Sequence, residues 1–420
     1  MKAEQQIDQF SFARLIGPGL LVAAAGIGAG DIVSSTVGGA NYGLALLWAV
    51  ALAAFLKCFL NEGIARWQLA TGSTAIEGWF QHLPWWVNLY FGIYLVLWTP
   101  AVTAALSNAC GLGIANLTGG AIPAGWGAVL HTLIGCAFVA LGGFEGFEKL
   151  MKALIGVMFF SMILCAILTL HDPLSVLKGF IPAIPSGGGT SVLSVLGGIG
   201  GSITMLSYNY WLREENMVGP KWLKYVRKDI AVAYGFTALF GMSVMSIADQ
   251  TFHVPGIKIT DSQAVTKMAE TLGSVIGTVG FYSYSIGFYA AVFASLLGVW
   301  QSVPYIYADF YSVIRKFSRA EREAATEVTS TPYRLALVYV TLAPIPFAFM
   351  NQPILIIRTY TIVGSLFIPF LAATLLYLNN FRIPANGGVR KNGAFTNAVL
   401  ILALILFALV GAREAGLLPR

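Results

Sequence analysis

Two hydrophobic stretches of this chain are each interrupted by a run of glycines. The first run is Gly26–Asp31 (GIGAGD) and the second is Gly197–Ser202 (GGIGGS). In the core of a bilayer every backbone N–H and C=O needs a hydrogen-bond partner, so helix-breaking glycines persist there only where unwound backbone lines a cavity or faces protein. Two such breaks in corresponding positions of two halves point to the substrate site of a secondary transporter. The pattern therefore predicts a transport protein.

The composition agrees with a helical protein that crosses a membrane many times. Hydrophobic residues make up 57% and charged residues 10% of the 420 residues, and the mean hydropathy is +0.74. Apolar runs of about 18 residues or more can cross the hydrocarbon core of a bilayer, which is about 30 Å thick. Such runs predict eleven spans, near residues 15–40, 44–70, 85–116, 125–142, 152–170, 190–211, 230–248, 273–302, 333–350, 354–378 and 395–412.

The predicted spans divide into two units of five and one extra span. We expect a cytoplasmic segment at 1–14, a single transmembrane transporter domain at 15–412 and a tail at 413–420. Repeat one covers about 15–170, repeat two about 190–378, and the extra span is 395–412. Because five is odd, the second unit enters the membrane from the opposite side. The fold class is therefore all-α and polytopic, with an inverted five-plus-five repeat in which each unit opens with a broken span.

Lysines and arginines predict the orientation of the chain. With Met1 placed inside, most of them fall on the inner side, including those of the basic loop Lys221–Lys228. This bias predicts a cytoplasmic N-terminus and, with an odd number of spans, an external C-terminus. The loop is interpreted as topogenic charge that also contacts anionic lipid, not as a nucleic-acid site. Only five basic residues fall outside: Lys178, Lys258, Lys267, Arg413 and Arg420.

The remaining polar chemistry disfavours an enzyme. The four cysteines, Cys58, Cys110, Cys136 and Cys165, lie in apolar spans without CxxC spacing and are interpreted as small core residues. Only His131 among the histidines lies in a predicted span. No nucleotide-binding loop, zinc-protease helix or nucleophile elbow is found. We expect the protein to have no cofactor. Its expected partners are a transported ion or solute and the lipid bilayer, and the expected coupling ion is H⁺ or Na⁺.

The chain is expected in a bacterial inner (plasma) membrane. Met1–Ile16 carries two acidic residues before its Arg14 and has no cleavage site, so no signal peptide is predicted. The sequence leaves the oligomeric state open between a monomer and a homo-oligomer.

Several segments resemble one family of transporters. Gly17–Val22 (GPGLLV), Gly39–Gly43 (GANYG) and Leu46–Trp48 (LLW) match, without a gap, the first span of the Nramp divalent-metal transporters. Ala70–Gly72 and Phe147–Leu150 extend the likeness along the chain. The resemblance implies a leucine-transporter-like (LeuT-like) fold in which spans 1 and 6 are unwound at the middle of the membrane.

The resemblance ends at the residues that bind the metal in this family. Members carry Asp-Pro-Gly-Asn in the first break, where this chain has Gly28–Asp31 (GAGD), so the usual carboxylate is missing and a new one replaces the asparagine. The family pattern Met-Pro-His aligns with Met205–Ser207 (MLS), which keeps the methionine and loses the histidine. The acidic motif that the family uses for proton movement falls at Ala105–Asn108 (ALSN), where both acids are absent.

Asp31 is the first candidate for a functional residue. A carboxylate at the bilayer centre costs about 2.5–3.5 kcal/mol on insertion scales, and such residues usually serve a partner or a substrate. We therefore expect Asp31 to bind the cation or to accept the coupling proton. The structural alternative is that Asp31 caps the outer half-helix that begins near Ile32.

The candidate residues form three groups. Residues in or near the breaks are expected to bind the substrate, two of them are candidate metal ligands, and four polar residues are candidates for coupling or gating. The substrate-binding group is Gly28, Gly30, Asp31, Ser34, Ser202, Met205 and Ser207; the metal ligands are Asp31 and Met205; the coupling or gating group is Lys57, Asn108, Tyr208 and Asn209.

Three functions remain open. The leading one is ion-coupled transport of a divalent metal cation (Mn, Fe or Mg type) by alternating access. The second is transport of a small non-metal solute, an organic cation, zwitterion or small anion, because the loss of side chains at Gly28–Gly30 is expected to open volume. The third is a transport-dead sensor, which is disfavoured because no soluble signalling domain follows Ala412.

Span 2 carries charged residues that need partners. Glu62 and Arg66 are four residues apart and are expected to pair on one helix face. Lys57 lies in the middle of the span. One hypothesis is that Lys57 provides a fixed positive charge near Asp31, in place of a driving proton or cation.

Overall fold

Every regular element that the structure describes is helical. A computed structural model describes residues 18–170, 172–253, 264–350, 352–384 and 388–414. The predicted N-terminal segment 1–14, Lys258 and residues 415–420 of the predicted tail lie outside these ranges. The helices of the first half are α1 Pro18–Gly26, α2 Ala29–Tyr42, α3 Leu47–Thr71, α4 Ala75–His82, α5 Trp85–Leu117, α6 Ala124–Leu141, α7 Phe144–Thr169 and α8 Pro173–Lys178.

The second half repeats the opening pattern of the first. A short helix ends at a glycine, an irregular segment follows, and the chain then resumes a helix. Its elements are α9 Gly189–Gly198, α10 Ser207–Glu214, α11 Leu223–Phe252, α12 Ala264–Ile314, α13 Arg319–Ala325, α14 Thr331–Leu342, α15 Pro353–Ser365, α16 Phe367–Phe381 and α17 Ala394–Glu414.

Local signals explain where several helices begin and end. Helix α3 ends at Gly72, which has a φ of +72° that favours glycine. Helix α4 begins with a capping box in which Thr74 accepts from the backbone of Glu77, and Glu77 accepts from the backbone of Thr74. Helix α12 is interrupted at Ile276 and Gly277, whose backbone angles are not helical, so it consists of two helices joined at a kink.

The observed spans agree with most of the predicted ones. Among the described residues, eight helical stretches are long and apolar enough to cross a membrane. One of them, Ala29–Thr71, contains the second half of predicted span 1 together with span 2. Span 11 corresponds to Ala394–Leu409, the apolar part of α17.

The boundaries predicted for two spans were wrong. The helix of predicted span 9 (333–350) ends at Leu342, because Pro344 and Pro346 lack the backbone N–H that an α-helix needs; a 3₁₀ turn, Ile345–Phe347, follows. Span 8, predicted at 273–302, continues to Ile314.

The broken spans lie at the centre of the molecule. The apolar window of span 6 is 94% buried and that of span 8 is 83% buried, whereas those of spans 4 and 5 are only 33% and 39% buried. Large apolar side chains on the peripheral helices, such as Leu97, Leu133 and Phe160, are exposed as expected for contact with lipid. The two glycine breaks are therefore shielded from lipid by other helices.

Candidate functional site

The two predicted breaks are present in the structure. Helix α1 ends at Gly26 and α2 begins at Ala29, which leaves Ile27 and Gly28 outside both helices. In span 6 the chain leaves α9 at Gly198 and re-enters helical structure in the 3₁₀ turn Ile203–Leu206. Each break exposes backbone groups at the ends of two half-helices, which lack partners inside their own helix.

The glycines allow the two breaks to touch through their backbones. A Cβ atom on Gly26 would lie 3.1 Å from the carbonyl carbon of Gly200, and one on Gly198 would lie 2.9 Å from the carbonyl oxygen of Gly30. Gly200 and Gly201 each have a φ of +74°, a conformation that other residues rarely adopt. Side chains at these positions would push the two segments apart.

Asp31 joins the two breaks. One carboxylate oxygen (Oδ2) accepts a hydrogen bond of 3.1 Å from the backbone N–H of Gly28, and the other (Oδ1) accepts one of 2.9 Å from that of Gly200. The side chain is buried at the start of α2, where the helix dipole favours a negative charge. Asp31 therefore helps to cap α2, as the structural alternative predicted, but it does so as the third residue of a helix that begins at Ala29, before the predicted start near Ile32. It also binds the second break.

Lys57 also binds the second break. Its ammonium group donates 2.9 Å to the carbonyl oxygen of Gly197 and also donates to that of Ile199. These oxygens lie at the C-terminal end of α9, where the helix dipole favours a positive charge. Lys57 is as buried as Asp31, and the two charges are close enough to attract each other.

Further buried polar groups lie around this pair. The amide of Asn61 lies beside the hydroxyl of Tyr234, and the hydroxyl of Ser202 lies beside that of Tyr360. Both tyrosines lie near Asp31. The side-chain oxygen of Asn61 accepts no hydrogen bond from the part of the chain that the structure describes, which leaves it available to a further donor.

The space that the small residues of the first break were expected to open is filled. Beside Gly28 a Cβ atom would meet the side chains of Ser295 and Leu106. Beside Gly30 it would lie 3.1 Å from Thr361 and 3.2 Å from Tyr360. The expectation of extra volume was therefore wrong, because side chains of neighbouring helices occupy the space beside these two glycines.

The other residues predicted to bind the substrate have different surroundings. Ser34 donates to the carbonyls of Gly30 and Ser194, so it connects α2 with α9. Met205 is buried in the 3₁₀ turn after the second break, and the Ser207 hydroxyl is buried without a hydrogen-bond partner among the described residues.

Three of the residues predicted for coupling or gating form hydrogen bonds with groups other than Asp31. They are Tyr208, Asn209 and Asn108. Tyr208 donates 2.8 Å to Asp229 of α11. The backbone carbonyl of Asn209 accepts 2.8 Å from Gln68 of α3. Asn108 donates 2.8 Å to the carbonyl of Ala104 in its own helix.

The predicted pairing of Glu62 and Arg66 is confirmed. Arg66 donates to both carboxylate oxygens of Glu62, at 2.7 and 2.9 Å. Arg227 of α11 donates 2.8 Å to the same carboxylate, and Arg66 also reaches the carbonyl of Lys391. This cluster is accounted for by contacts that hold α3, α11 and the segment before α17 together.

Three contributors to the site were not predicted. Tyr234 and Tyr360 lie in apolar spans, where a tyrosine gives no signal of its neighbours. Asn61 lies one turn after Lys57 on the same helix face, and this spacing was the one available signal.

Within the described ranges no group of three or more His, Cys, Asp or Glu side chains is placed to hold a metal ion. A metal at the breaks would therefore depend on Asp31 together with backbone carbonyls, hydroxyls and the sulfur of Met205.

Comparison with known proteins identifies the family. The sequence model of the Nramp family, described as "Natural resistance-associated macrophage protein-like", matches residues 19–413. The chain belongs to the Nramp family. The divalent metal cation transporter MntH of Deinococcus radiodurans is 24% identical over 296 residues, which cover 67% of this chain and 65% of that protein. MntH of Chromohalobacter salexigens is 25% identical over 299 residues, 64% of each chain. The alignments thus span just under two thirds of these relatives.

Solved structures show the same fold. A mutant of the manganese transporter of Eremococcus coleocola superposes with a TM-score of 0.72 at 18% identity, covering 97% of this chain and 87% of that one. MhsT in complex with L-phenylalanine superposes with a TM-score of 0.56 at 15% identity, covering 94% of this chain and 97% of that one. This Nramp protein therefore has the LeuT-like fold that the family resemblance implied.

Proposed function

We propose that this Nramp protein is a secondary active transporter that carries a divalent metal cation (Mn, Fe or Mg type) across the membrane by alternating access. The observation that carries the proposal is the bridge that Asp31 forms between Gly28 and Gly200. A single carboxylate thereby contacts both broken spans at the buried centre of the molecule. A cation bound to it would act on both half-helix pairs at once.

The donor set at this contact suits a small cation. Each carboxylate oxygen of Asp31 keeps a lone pair beside the one that its N–H donor uses, since an ionised carboxylate offers about four lone-pair sites. The carbonyls of Gly197 and Ile199 and the hydroxyl of Ser202 supply further oxygens in the second break. Carboxylate, carbonyl, hydroxyl and water oxygens suit Mg²⁺ and Mn²⁺, and the sulfur of Met205 would favour softer metals.

The names of the relatives support a metal as the substrate. MntH of Deinococcus radiodurans and of Chromohalobacter salexigens are both called divalent metal cation transporters. Filled space beside Gly28 and Gly30 also favours a small ion over a bulky organic solute. We therefore place the metal cation first among the candidate substrates.

The two breaks support alternating access. An irregular segment between half-helices would let one half tilt while the other stays in place, and the backbone contact between the breaks would couple both tilts. The driving ion, H⁺ or Na⁺, would enter by the same buried site or beside it.

The proposal is tested by metal influx into proteoliposomes that contain a metal-sensitive dye. Mn²⁺ and Mg²⁺ influx would be measured for the native protein, for Asp31→Ala and for the control Asp249→Ala. The control removes a half-buried carboxylate near the C-terminal end of α11. We expect influx for the native protein and the control, and a loss of at least tenfold for Asp31→Ala. An inward proton or sodium gradient identifies the coupling ion. Absence of influx from folded native protein with either metal would contradict the proposal.

A small zwitterion is the second candidate, because Asp31 and Lys57 place one negative and one positive charge at the same buried break. A zwitterion would find a partner for each of its own charges there. In the same vesicles, uptake of labelled amino acids without Mn²⁺ or Mg²⁺ influx would favour this candidate.

A further inference from the structure

The second break binds a positively charged group of the protein itself, the ammonium of Lys57. The ammonium of Lys57 lies against the carbonyl oxygens of Gly197 and Ile199, and the Asp31 carboxylate holds the N–H of Gly200 one residue further along. Carbonyl oxygens at a helix C-terminus beside a carboxylate form the kind of donor set that a small cation selects. Lys57 reaches this position from α3, a helix that is continuous through the membrane.

We propose that Lys57 is a tethered substitute for the transported cation. Its ammonium fills the cation position of the second break when no substrate is bound, and it leaves when the substrate arrives. This inference rests on the proposed function, since it requires the substrate to be a cation. It assigns to Lys57 a role that the metal-binding residues alone do not provide.

The electrostatics of the empty site give the reason for such a substitute. Without any cation, the buried carboxylate of Asp31 would be an uncompensated charge whenever the empty site passes from one side of the membrane to the other. With Lys57 in place, the pair is neutral and the carbonyls of the break are satisfied. The empty transporter can therefore return, which net uptake requires. The same arrangement makes Lys57 a competitor that lowers the affinity for substrate.

The structure also offers a place for the displaced ammonium. Asn61 lies four residues after Lys57, on the same face of α3, and its side-chain oxygen has no hydrogen-bond partner among the described residues. The hydroxyl of Tyr234 is buried and lies beside Asn61. A lysine side chain is long enough to exchange one acceptor set for the other by rotation about its own bonds.

The first test measures cation binding and does not depend on transport. Thermal unfolding of purified protein would be followed with Mn²⁺, Mg²⁺ and Na⁺ for the native protein, Lys57→Met and Lys57→Gln. The matched control is Lys152→Met, which removes a lysine paired with Glu148 on the peripheral helix α7.

Removal of the Lys57 ammonium is expected to leave the cation site of the second break free to bind an added cation. At least one of the three cations should stabilise both Lys57 variants at a concentration tenfold or more below that needed by the native protein and the control. The two variants serve as alternatives if one of them fails to fold. Equal responses in native protein and variants, or no response of the variants to any cation, would overturn the proposal.

The second test separates net transport from exchange. Mn²⁺ influx into metal-free vesicles requires the empty site to return, whereas exchange of labelled for unlabelled Mn²⁺ does not. We expect Lys57→Met to keep exchange and to lose at least tenfold in net influx relative to exchange. An unchanged ratio would contradict the role of Lys57. Failure of the native protein in both modes would contradict the proposed metal substrate instead, and the binding test would still decide the role of Lys57.

Discussion

At the scale of single residues, the site consists of charges placed on the ends of half-helices. Asp31 lies at the N-terminal end of α2 and Lys57 reaches the C-terminal end of α9, so each charge meets the end of a helix dipole that favours it. Each makes two hydrogen bonds to backbone groups, and both side chains are buried. Glycines make these contacts available because they bring backbone atoms, not side chains, to the surface of each break.

The substitution Gly200→Ala tests the role of the glycines. Gly200 has a φ of +74°, and a Cβ atom there would lie 3.0 Å from the ring of Tyr234. We expect the left-handed conformation alone to lower the free energy of unfolding by about 1–2 kcal/mol. Thermal unfolding in detergent measures the change. The control is Gly156→Ala on α7, where a Cβ atom meets nothing within 4 Å. Equal melting temperatures for the two variants would contradict this account of the break.

At the scale of elements, α10 is fastened to its neighbours by side-chain hydrogen bonds on the side predicted to be cytoplasmic. Tyr208 donates 2.8 Å to Asp229 of α11, and Tyr210 donates 2.8 Å to Asp309 of α12. Trp211 donates 2.8 Å to Gln301 of α12. These bonds join α10 to α11 and α12, so the inward opening of the proposed transport cycle would have to break them.

Removal of one of these bonds should favour the inward-open state. In a background without the native cysteines, Ser207→Cys reports access to the buried start of α10. Adding Tyr210→Phe removes the bond to Asp309 and is expected to raise the rate of labelling by a water-soluble maleimide several-fold. Tyr282→Phe, which alters a half-exposed tyrosine on α12, is the control. Equal labelling rates in the two variants would show that the bond between Tyr210 and Asp309 does not restrain inward opening.

At the scale of the whole molecule, the sequence predicted the fold well because each broken span is encoded locally. A glycine run breaks the helix in which it lies, and the length of an apolar run decides whether that one helix can cross the membrane. Both features appear in the structure where the sequence predicts them. The contacts of Lys57 with Gly197 and Ile199 join residues 140 and 142 positions apart and depend on how α3 packs against α9. The filling of space beside Gly28 by Ser295 depends in the same way on tertiary packing. No pattern within a span carries such information.

The predicted orientation can be tested with fusion proteins. Eleven spans with a cytoplasmic N-terminus place the end of α17 outside. Alkaline phosphatase fused after Glu414 should therefore be active in bacterial cells, and a green fluorescent protein fused at the same point should stay dark. Fusions in the loop between α10 and α11 should show the opposite pattern, because the basic residues there are predicted to be inside. The same pattern at both positions would contradict an odd number of spans.

The central claim is that the transported cation binds Asp31 and displaces Lys57 from the carbonyls of the second break. A crystal structure of the protein soaked with Mn²⁺, with anomalous diffraction to locate the metal, tests it most directly. We expect a Mn²⁺ peak within about 2.5 Å of an Asp31 carboxylate oxygen, with the Lys57 ammonium moved away from the carbonyls of Gly197 and Ile199. A well-ordered site with no metal at Asp31, or a bound metal with Lys57 still in place, would contradict the account.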